Sequence, residues 1–285
     1  MTNNIITLDN VSFAYARANR WALQNNSVEI GEGDFIAVMG ANGAGKTTFC
    51  RLLNGLIPHS LAGKLLGTVT VDGLQTASVS AARLAGKTGM AFDDPEVQLF
   101  TAKVSDEVSF ALENLLMPPE EIKKKVQWAL DAAGLAAYAG YAPSALSGGQ
   151  KQRLAIAAAV AMADKVLVLD EPTSQLDPRG AGEVLSFIRD LRARRRLTVV
   201  MATNCGDEVA EFADKIIVLK DGRLAAYDTP YRVFADGTLL ADNTLQCPQV
   251  SELARRMAFL GKPLPSFPIT IHEAEKSVVN WYGKY

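Results

Sequence analysis

A chain of 285 residues, 48% apolar and 21% charged, can bury a sizeable core and is too apolar to be disordered. Its net charge of −2 supplies no basic field, so nucleic acid is not an expected partner. Cys50, Cys205 and Cys247 are odd in number and form no C-x-x-C pair, which argues against a disulfide framework or a cysteine zinc site and for a reducing compartment.

The opening "MTNNIITLDN" lacks a charged n-region and an apolar h-region. The longest near-apolar run, Leu154 to Ala163, is far below the ~20 residues that span a bilayer. The chain is expected to be neither secreted nor transmembrane. Three strand patterns come first, "IITLDNVSFAY", "SVEIGEGDFIAVMG" and "GTVTVDG", with turn signals at Gly31 to Gly33 and at Asp72-Gly73. They are expected to form a small antiparallel layer.

A helical block follows from Ser105 to Ala163. Ser105 is the expected cap, Asp106 and Glu107 suit the positive first turn, and Pro118-Pro119 is the expected stop. Glu120 and Glu121 each precede a lysine, Lys124 and Lys125, by four residues, so a solvated charged face is expected there. "KVLVLDE" (165–171) and "TVVMAT" (198–203) are apolar on both faces, as parallel strands covered by helices are. The "RARRR" run (192–196) reads as a helix end in water, the alternative being contact with lipid headgroups or a partner. Beyond Gly222 the pattern loosens, and a boundary near Tyr227 to Pro230 would set a domain of residues 1–229 apart from a small C-terminal helical domain, 230–285. The core is α/β, with no internal repeat.

Two stretches carry chemistry. "GANGAGKTT" fits G-x-x-x-x-G-K-[ST] from Gly40 to Thr47 and sits between the strand "DFIAVMG" and a helix with apolar Phe49, Leu52, Leu53 and Leu56 on one face. Glycines let backbone N–H groups curl around a phosphate at the positive helix end; Lys46 neutralises β- and γ-phosphates, and the Thr47 hydroxyl can hold Mg2+. The plain alternative is a glycine turn without ligand. Cys50, one turn into the helix, reads as core. A divalent ion on a triphosphate needs another hard oxygen, and Asp170 ends a buried strand where a carboxylate makes poor sense without a cation. Glu171 beside it can orient or deprotonate a water. The alternative for the pair is helix capping before Pro172.

"ALSGGQKQRLAIAAAVAM" then opens a helix with Ser147, Gly148 and Gly149, a second set of bare N–H groups at a positive helix end. Both ends serve one nucleotide only if they meet in space; otherwise the second reaches another subunit.

With these residues the chain resembles an ATP-binding subunit of an ABC transporter. "GANGAGKTT" is similar to the family's Walker A, including Asn42, Gly43, Gly45 and Thr48; "LSGGQ", ending in Gln150, to its signature; "VLVLDE" to its Walker B; and Ser174 to Asp177 ("SQLD") to its D-loop. Tyr15 in "FAY" matches the aromatic that stacks on adenine, although a tyrosine after a strand is as readily core or surface. The resemblance covers roughly the first 230 residues. It implies a P-loop NTPase core with a parallel sheet, an N-terminal antiparallel layer and a helical signature subdomain at about 100–163. It also implies ATP and Mg2+ as ligands, and head-to-tail dimers that sandwich each ATP between one Walker A and the other subunit's signature.

More narrowly, "FDDPEVQLFTAKVSDEVSFALENLLMPPEEI" and the tail "CPQVSELARRMAFLGKPLP" resemble the ATPases of energy-coupling factor (ECF) transporters and related cobalt and nickel importers. That likeness implies uptake of a vitamin or transition-metal ion and a peripheral place on the cytoplasmic face of the membrane. The partners implied are a second, often non-identical ATPase, a transmembrane coupling protein and a substrate-binding membrane protein, with C-terminal segments helping to hold the ATPases together. Leu99 and Phe100 are candidates for a groove that receives the coupling helices, or else ordinary core.

Two positions depart from the family pattern. Asp93 stands where the family has a glutamine that touches Mg2+ and the water, and it is shorter and adds negative charge near a triphosphate. Asn204 stands at the switch histidine; its amide can donate a hydrogen bond but carries no positive charge. Either these are tolerated variations in a working site, or this site is catalytically weakened within an asymmetric ATPase pair. Competing classes are a soluble ABC ATPase acting on DNA or the ribosome, which would carry long insertions or tandem domains, and a small-molecule kinase, which leaves "LSGGQ" unexplained.

Overall fold

The structure, a computed structural model, describes residues 4–241 and 245–283, and within these not the side chains of residues 240 and 241. Ten strands run in chain order: β1 (Asn4–Tyr15), β2 (Leu23–Gly31), β3 (Phe35–Met39), β4 (Gly63–Val71), β5 (Leu74–Gln75), β6 (Thr88–Ala91), β7 (Val166–Asp170), β8 (Thr198–Ala202), β9 (Lys215–Lys220) and β10 (Arg223–Asp228). They form an antiparallel sheet of order β2-β1-β4-β5 and a second sheet of order β10-β9-β3-β8-β7-β6. In the second sheet β9, β3, β8, β7 and β6 pair in parallel, and β10 is antiparallel at the edge.

The stretch "SVEIGEGDFIAVMG" does not stay in one layer. β2 alternates buried and exposed positions and joins the antiparallel sheet, whereas β3 is buried at all five positions and enters the centre of the parallel one. One-sided burial suits a sheet with a solvated face; two-sided burial needs cover on both. The turn at Gly31 to Gly33, with Gly33 at φ +83°, is where the chain changes sheets.

The helical block comprises Val104–Asn114, Pro119–Ala132 and Gly148–Met162. Ser105 is not its cap. The first helix begins one residue earlier, and Glu107 holds its entry by accepting hydrogen bonds from the Phe100 and Thr101 amides (3.0 and 2.8 Å) and the Thr101 hydroxyl (2.8 Å). Its end comes at Asn114, before the prolines, where Leu116 turns left-handed at φ +54°.

Two charge runs also differ from expectation. Lys125 donates to the Ala161 carbonyl at 3.1 Å and pairs with Asp164, so it covers the negative end of the helix Gly148–Met162 instead of sharing a solvated face with Glu121. Arg192 donates twice to the Gly33 carbonyl (3.0 and 2.8 Å) and pairs with Asp214, and the Arg195 guanidinium lies 3.7 Å from the Trp128 ring centroid. The end of the helix Pro178–Arg195 is thereby fastened to the β2–β3 turn and to the helical block.

Past β10 lie helices at Pro230–Ala235, Gly237–Ala241, Gln249–Phe259 and Ile271–Tyr282. Val233 and Phe234 share a core with Ala37, Met39, Ile216 and Val218 of the parallel sheet, joined by Leu245 and Ile269. Between the two sheets, Phe49, Leu52 and Leu53 of the helix Lys46–Leu53 are fully buried with Ile36, Val38 and Val200. Phe49→Ala empties that space, and about 3–5 kcal/mol of stability should be lost, read as a lower urea midpoint at unchanged slope.

Candidate functional site

The loop between β3 and the helix Lys46–Leu53 is shaped by glycines that no other residue can replace. Gly40 (φ +149°) approaches so closely that an added Cβ would lie 2.2 Å from the Leu219 carbonyl oxygen. At Gly45 (φ +108°) it would lie 2.7 Å from the Ala22 carbonyl oxygen. Lys46 begins the helix with its side chain 6% exposed, donating to the Gly40 carbonyl at 3.0 Å. That contact folds the lysine back over the loop, with its ammonium where a phosphate on the helix end would need it.

β8 lies beside β3 and β7 beside β8, and their ends bring Asn204 and the acidic pair Asp170 and Glu171 to the same edge. Thr47 donates its hydroxyl to the Asp170 carboxylate at 3.1 Å. Asp170 is 3% exposed, and burial pushes its pKa up; the Thr47 hydrogen bond opposes this, and the Asp93 charge adds to it. Glu171 is left-handed at φ +48°, outside the usual range for a non-glycine residue, and its amide donates to the Ala202 carbonyl at 2.8 Å. Its carboxylate oxygen lies 3.3 Å from the Lys46 ammonium and accepts from the Asn204 amide at the same distance. Asn204 also donates to Asn42 at 3.2 Å. Asn204 therefore bridges Glu171 and the phosphate loop.

A cleft of about 640 Å³ opens over these groups, bordered among others by Tyr15, Trp21, Asn42, Lys46, Thr48 and Glu171. The Tyr15 hydroxyl is 3.1 Å from the Thr48 hydroxyl and accepts from Arg51, and its ring meets Phe13 edge-on at 4.9 Å. Trp21, under the Lys64 ammonium, is a second aromatic at this mouth that the sequence pattern did not single out; only its nearness to Tyr15 in the chain hinted at it. Gly43 lies at φ +80° on the loop's crest.

Asp93 follows β6 on an exposed turn. The Phe92 peptide just before it is held on both sides: its N–H donates to Gln98 at 3.2 Å, and its carbonyl accepts from the buried Gln152 at 3.2 Å. Gln98 also donates to the Met90 carbonyl at 3.3 Å. Leu99 packs against the helical core, while Phe100 is 66% exposed and meets Phe110 edge-on.

The second glycine turn stands apart. Ser147 and Gln150 form a capping box, with the Ser147 amide donating to the Gln150 side chain at 2.9 Å and the Gln150 amide to the Ser147 hydroxyl at 3.4 Å. Gly148 is exposed, and Gly149 nestles against Gly180. Asp177 caps the helix Pro178–Arg195 by accepting from the Gly180 amide at 2.7 Å. None of Ser147 to Gln150 borders the cleft over Lys46. Within one chain the two helix ends do not share a ligand.

Comparison with known proteins agrees with this arrangement. The ABC transporter family model matches residues 23–174. A putative ABC transporter ATP-binding protein of Pyrococcus abyssi is 45% identical over 81% of this chain and 82% of its own length. The energy-coupling factor transporter ATP-binding protein EcfA1 of Levilactobacillus brevis is 38% identical over 97% of each chain. Among solved structures, cbiO1 from Clostridium perfringens, part of the ABC transporter complex cbiONQ, is 31% identical over 90% of this chain and 98% of its own, with a TM-score of 0.74. A dimeric ATP-binding cassette in a post-hydrolysis state with ADP and Pi is 28% identical over 79% and 98%, with a TM-score of 0.67. With this loop beside a buried aspartate, and 38% identity to EcfA1 over 97% of each chain, the chain belongs to the ABC transporter family as an ATP-binding subunit of the energy-coupling factor type.

Proposed function

We propose that this subunit binds and hydrolyses ATP to power a membrane importer for a vitamin or a transition-metal ion, working in a pair with a second, non-identical ATPase. The observation that carries the reading is that Lys46, Thr47 and Glu171 border one cleft, with Asp170 joined to it through Thr47 and Asn204 through Glu171, while Ser147 to Gln150 stay outside it. A triphosphate seated on Gly40 to Thr48, with adenine against Tyr15, leaves its far side for a neighbour's signature turn, and this chain's turn serves the neighbour in return. The dimeric cassette with ADP and Pi supports that pairing.

The free site keeps Glu171 in an ion pair with Lys46. A triphosphate offers the lysine a stronger partner, so substrate arrival frees the carboxylate to orient and deprotonate water. Thr47 and Asp170 are paired hard oxygens, one of them on a carboxylate that is 3% exposed, and they fit a Mg2+ ion, toward which Asp93 adds charge. When bound, that ion neutralises the phosphate charges. No described helix is long and apolar enough to cross a membrane. Contact with the bilayer then falls to a transmembrane coupling protein, received beside Leu99 and Phe100, and to a substrate-binding membrane protein, on the cytoplasmic face. The helices of residues 230–285 form the ATPase-pairing element.

Asn204 makes the subunit's own site the slower of the two, because its amide reaches Glu171 but carries no charge toward a γ-phosphate. Asn204→His should raise turnover of the mixed pair at least about tenfold, losses of a single positioned contact being commonly about a hundredfold. Rapid turnover by the isolated chain, or no response of the pair to the histidine, would refute the asymmetry. Purification from detergent extracts tests the wider reading: membrane proteins should come down with the chain, and nucleic acid or nothing at all would overturn it.

A further inference from the structure

The short helix Gly206–Phe212 directly follows Asn204 and Cys205, and its first turn presents Glu208 inward. One oxygen of that carboxylate accepts two hydroxyls: Thr173 at 3.0 Å and Thr203 at 3.3 Å. Thr173 lies two residues after Glu171, and Thr203 immediately precedes Asn204. Both threonines are buried, at 8% and 3% exposure. The Thr203 hydroxyl in turn accepts the Cys205 amide at 3.1 Å, which closes the turn that carries Asn204. A single oxygen thus ties the loop after β7 to the loop after β8.

We propose that Glu208 is a positioning residue for ATP hydrolysis, setting the separation of the loops that carry Glu171 and Asn204 without touching the nucleotide. The inference rests on the reading of the cleft as an ATP-hydrolysing site. The 3.3 Å contact between Asn204 and Glu171 spans the same two loops, so slack at Glu208 is transmitted to it. A half-buried carboxylate is costly to keep, and burial pushes the Glu208 pKa up while the two hydroxyls pull it down and the Asp207 and Glu171 charges raise it. Threonine hydroxyls close only local turns by themselves; the shared acceptor makes them one unit.

The same turn carries a second attachment. Asp207 accepts the Gln249 amide at 3.1 Å, and a Cβ at Gly206 would lie 2.3 Å from the Gln246 carbonyl oxygen. The segment leading into the helix Gln249–Phe259 is therefore seated on the residues that Glu208 braces.

The test compares Glu208→Ala and Glu208→Gln in the full chain, alone and paired with its partner ATPase. Glu208→Ala should speed amide exchange in residues 171–176 and 203–206 together and lower kcat about ten- to a hundredfold, with KM for ATP within about twofold. Glu208→Gln keeps an oxygen that accepts both hydroxyls and should recover turnover to within about threefold of the parent. Parent-like exchange in both loops of Glu208→Ala overturns the proposal, as does a glutamine variant as impaired as the alanine one. A fall in kcat no larger than the fall in folded fraction also overturns it. If Glu171→Gln leaves turnover unchanged, the reading of the cleft itself fails, and the exchange measurement still decides whether Glu208 holds the two loops.

Discussion

Glu171→Gln is expected to lower single-turnover hydrolysis at this subunit's site about a thousandfold while ATP affinity stays within about threefold or improves. In the proposed reading the Glu171 carboxylate takes the proton from water, and its left-handed backbone holds it there at a conformational cost. An amide in its place still accepts from Asn204, so the geometry of the loop survives. It no longer forms an ion pair with Lys46, whose ammonium sits 3.3 Å from the native oxygen, so the lysine, still held by the Gly40 carbonyl, meets an incoming phosphate without first leaving an anionic partner. Rapid-quench measurement of phosphate release in the assembled pair, beside an equilibrium nucleotide titration, separates the two effects. Retention of more than a tenth of the parent rate would remove Glu171 from the chemical step.

Gly148→Asp should act on the other subunit's site. Gly148 is exposed, has no left-handed backbone, and an added Cβ would meet only Leu176 at 3.5 Å, an ordinary contact. The isolated chain should therefore fold and bind ATP at Lys46 as before. A carboxylate at that helix end would face a neighbour's triphosphate, replacing attraction by repulsion in a water-poor interface. Turnover at the neighbour's site should fall by about two orders of magnitude. Photo-crosslinking of labelled nucleotide to each subunit, with turnover measured in pairs that carry the change on one side only, shows which site fails. A loss confined to the mutated chain's own site would contradict the shared sandwich.

The chain's local grammar discloses part of this. The glycine loop is legible because its spacing, the strand before it and the helix after it are all local, and the structure places Asn42, Gly43 and Gly45 to Thr48 on one cleft. The buried carboxylates were legible for a related reason: Asp170 and Glu171 end an apolar strand where charge is otherwise unexplained. What escaped were long-range partners. β3 looks like a continuation of β2 until its two-sided burial assigns it to the other sheet. Arg192 finds the Gly33 carbonyl across 159 residues, and Lys125 finds Ala161 across 36, so a run of like charge says nothing of where each tip ends. Ser105 is not the cap because the amides of Val104 and Ser105, at the start of the helix, donate to the Tyr141 and Ala139 carbonyls more than thirty residues on. Glu208 carries no local signal at all, since its meaning depends on two threonines that the sheet brings together.

The peptide of Phe92 is gripped from both sides, by Gln98 of its own turn and by Gln152 of the helix that begins at the second glycine turn, and Lys151 adds an ion pair to Glu96. The strip holding Asp93 is therefore tied to the helix Gly148–Met162 by one amide hydrogen bond and one ion pair. In the proposed pair, a neighbour that displaced that helix would pull on the strip through these two contacts, and each half would sense its companion's loading.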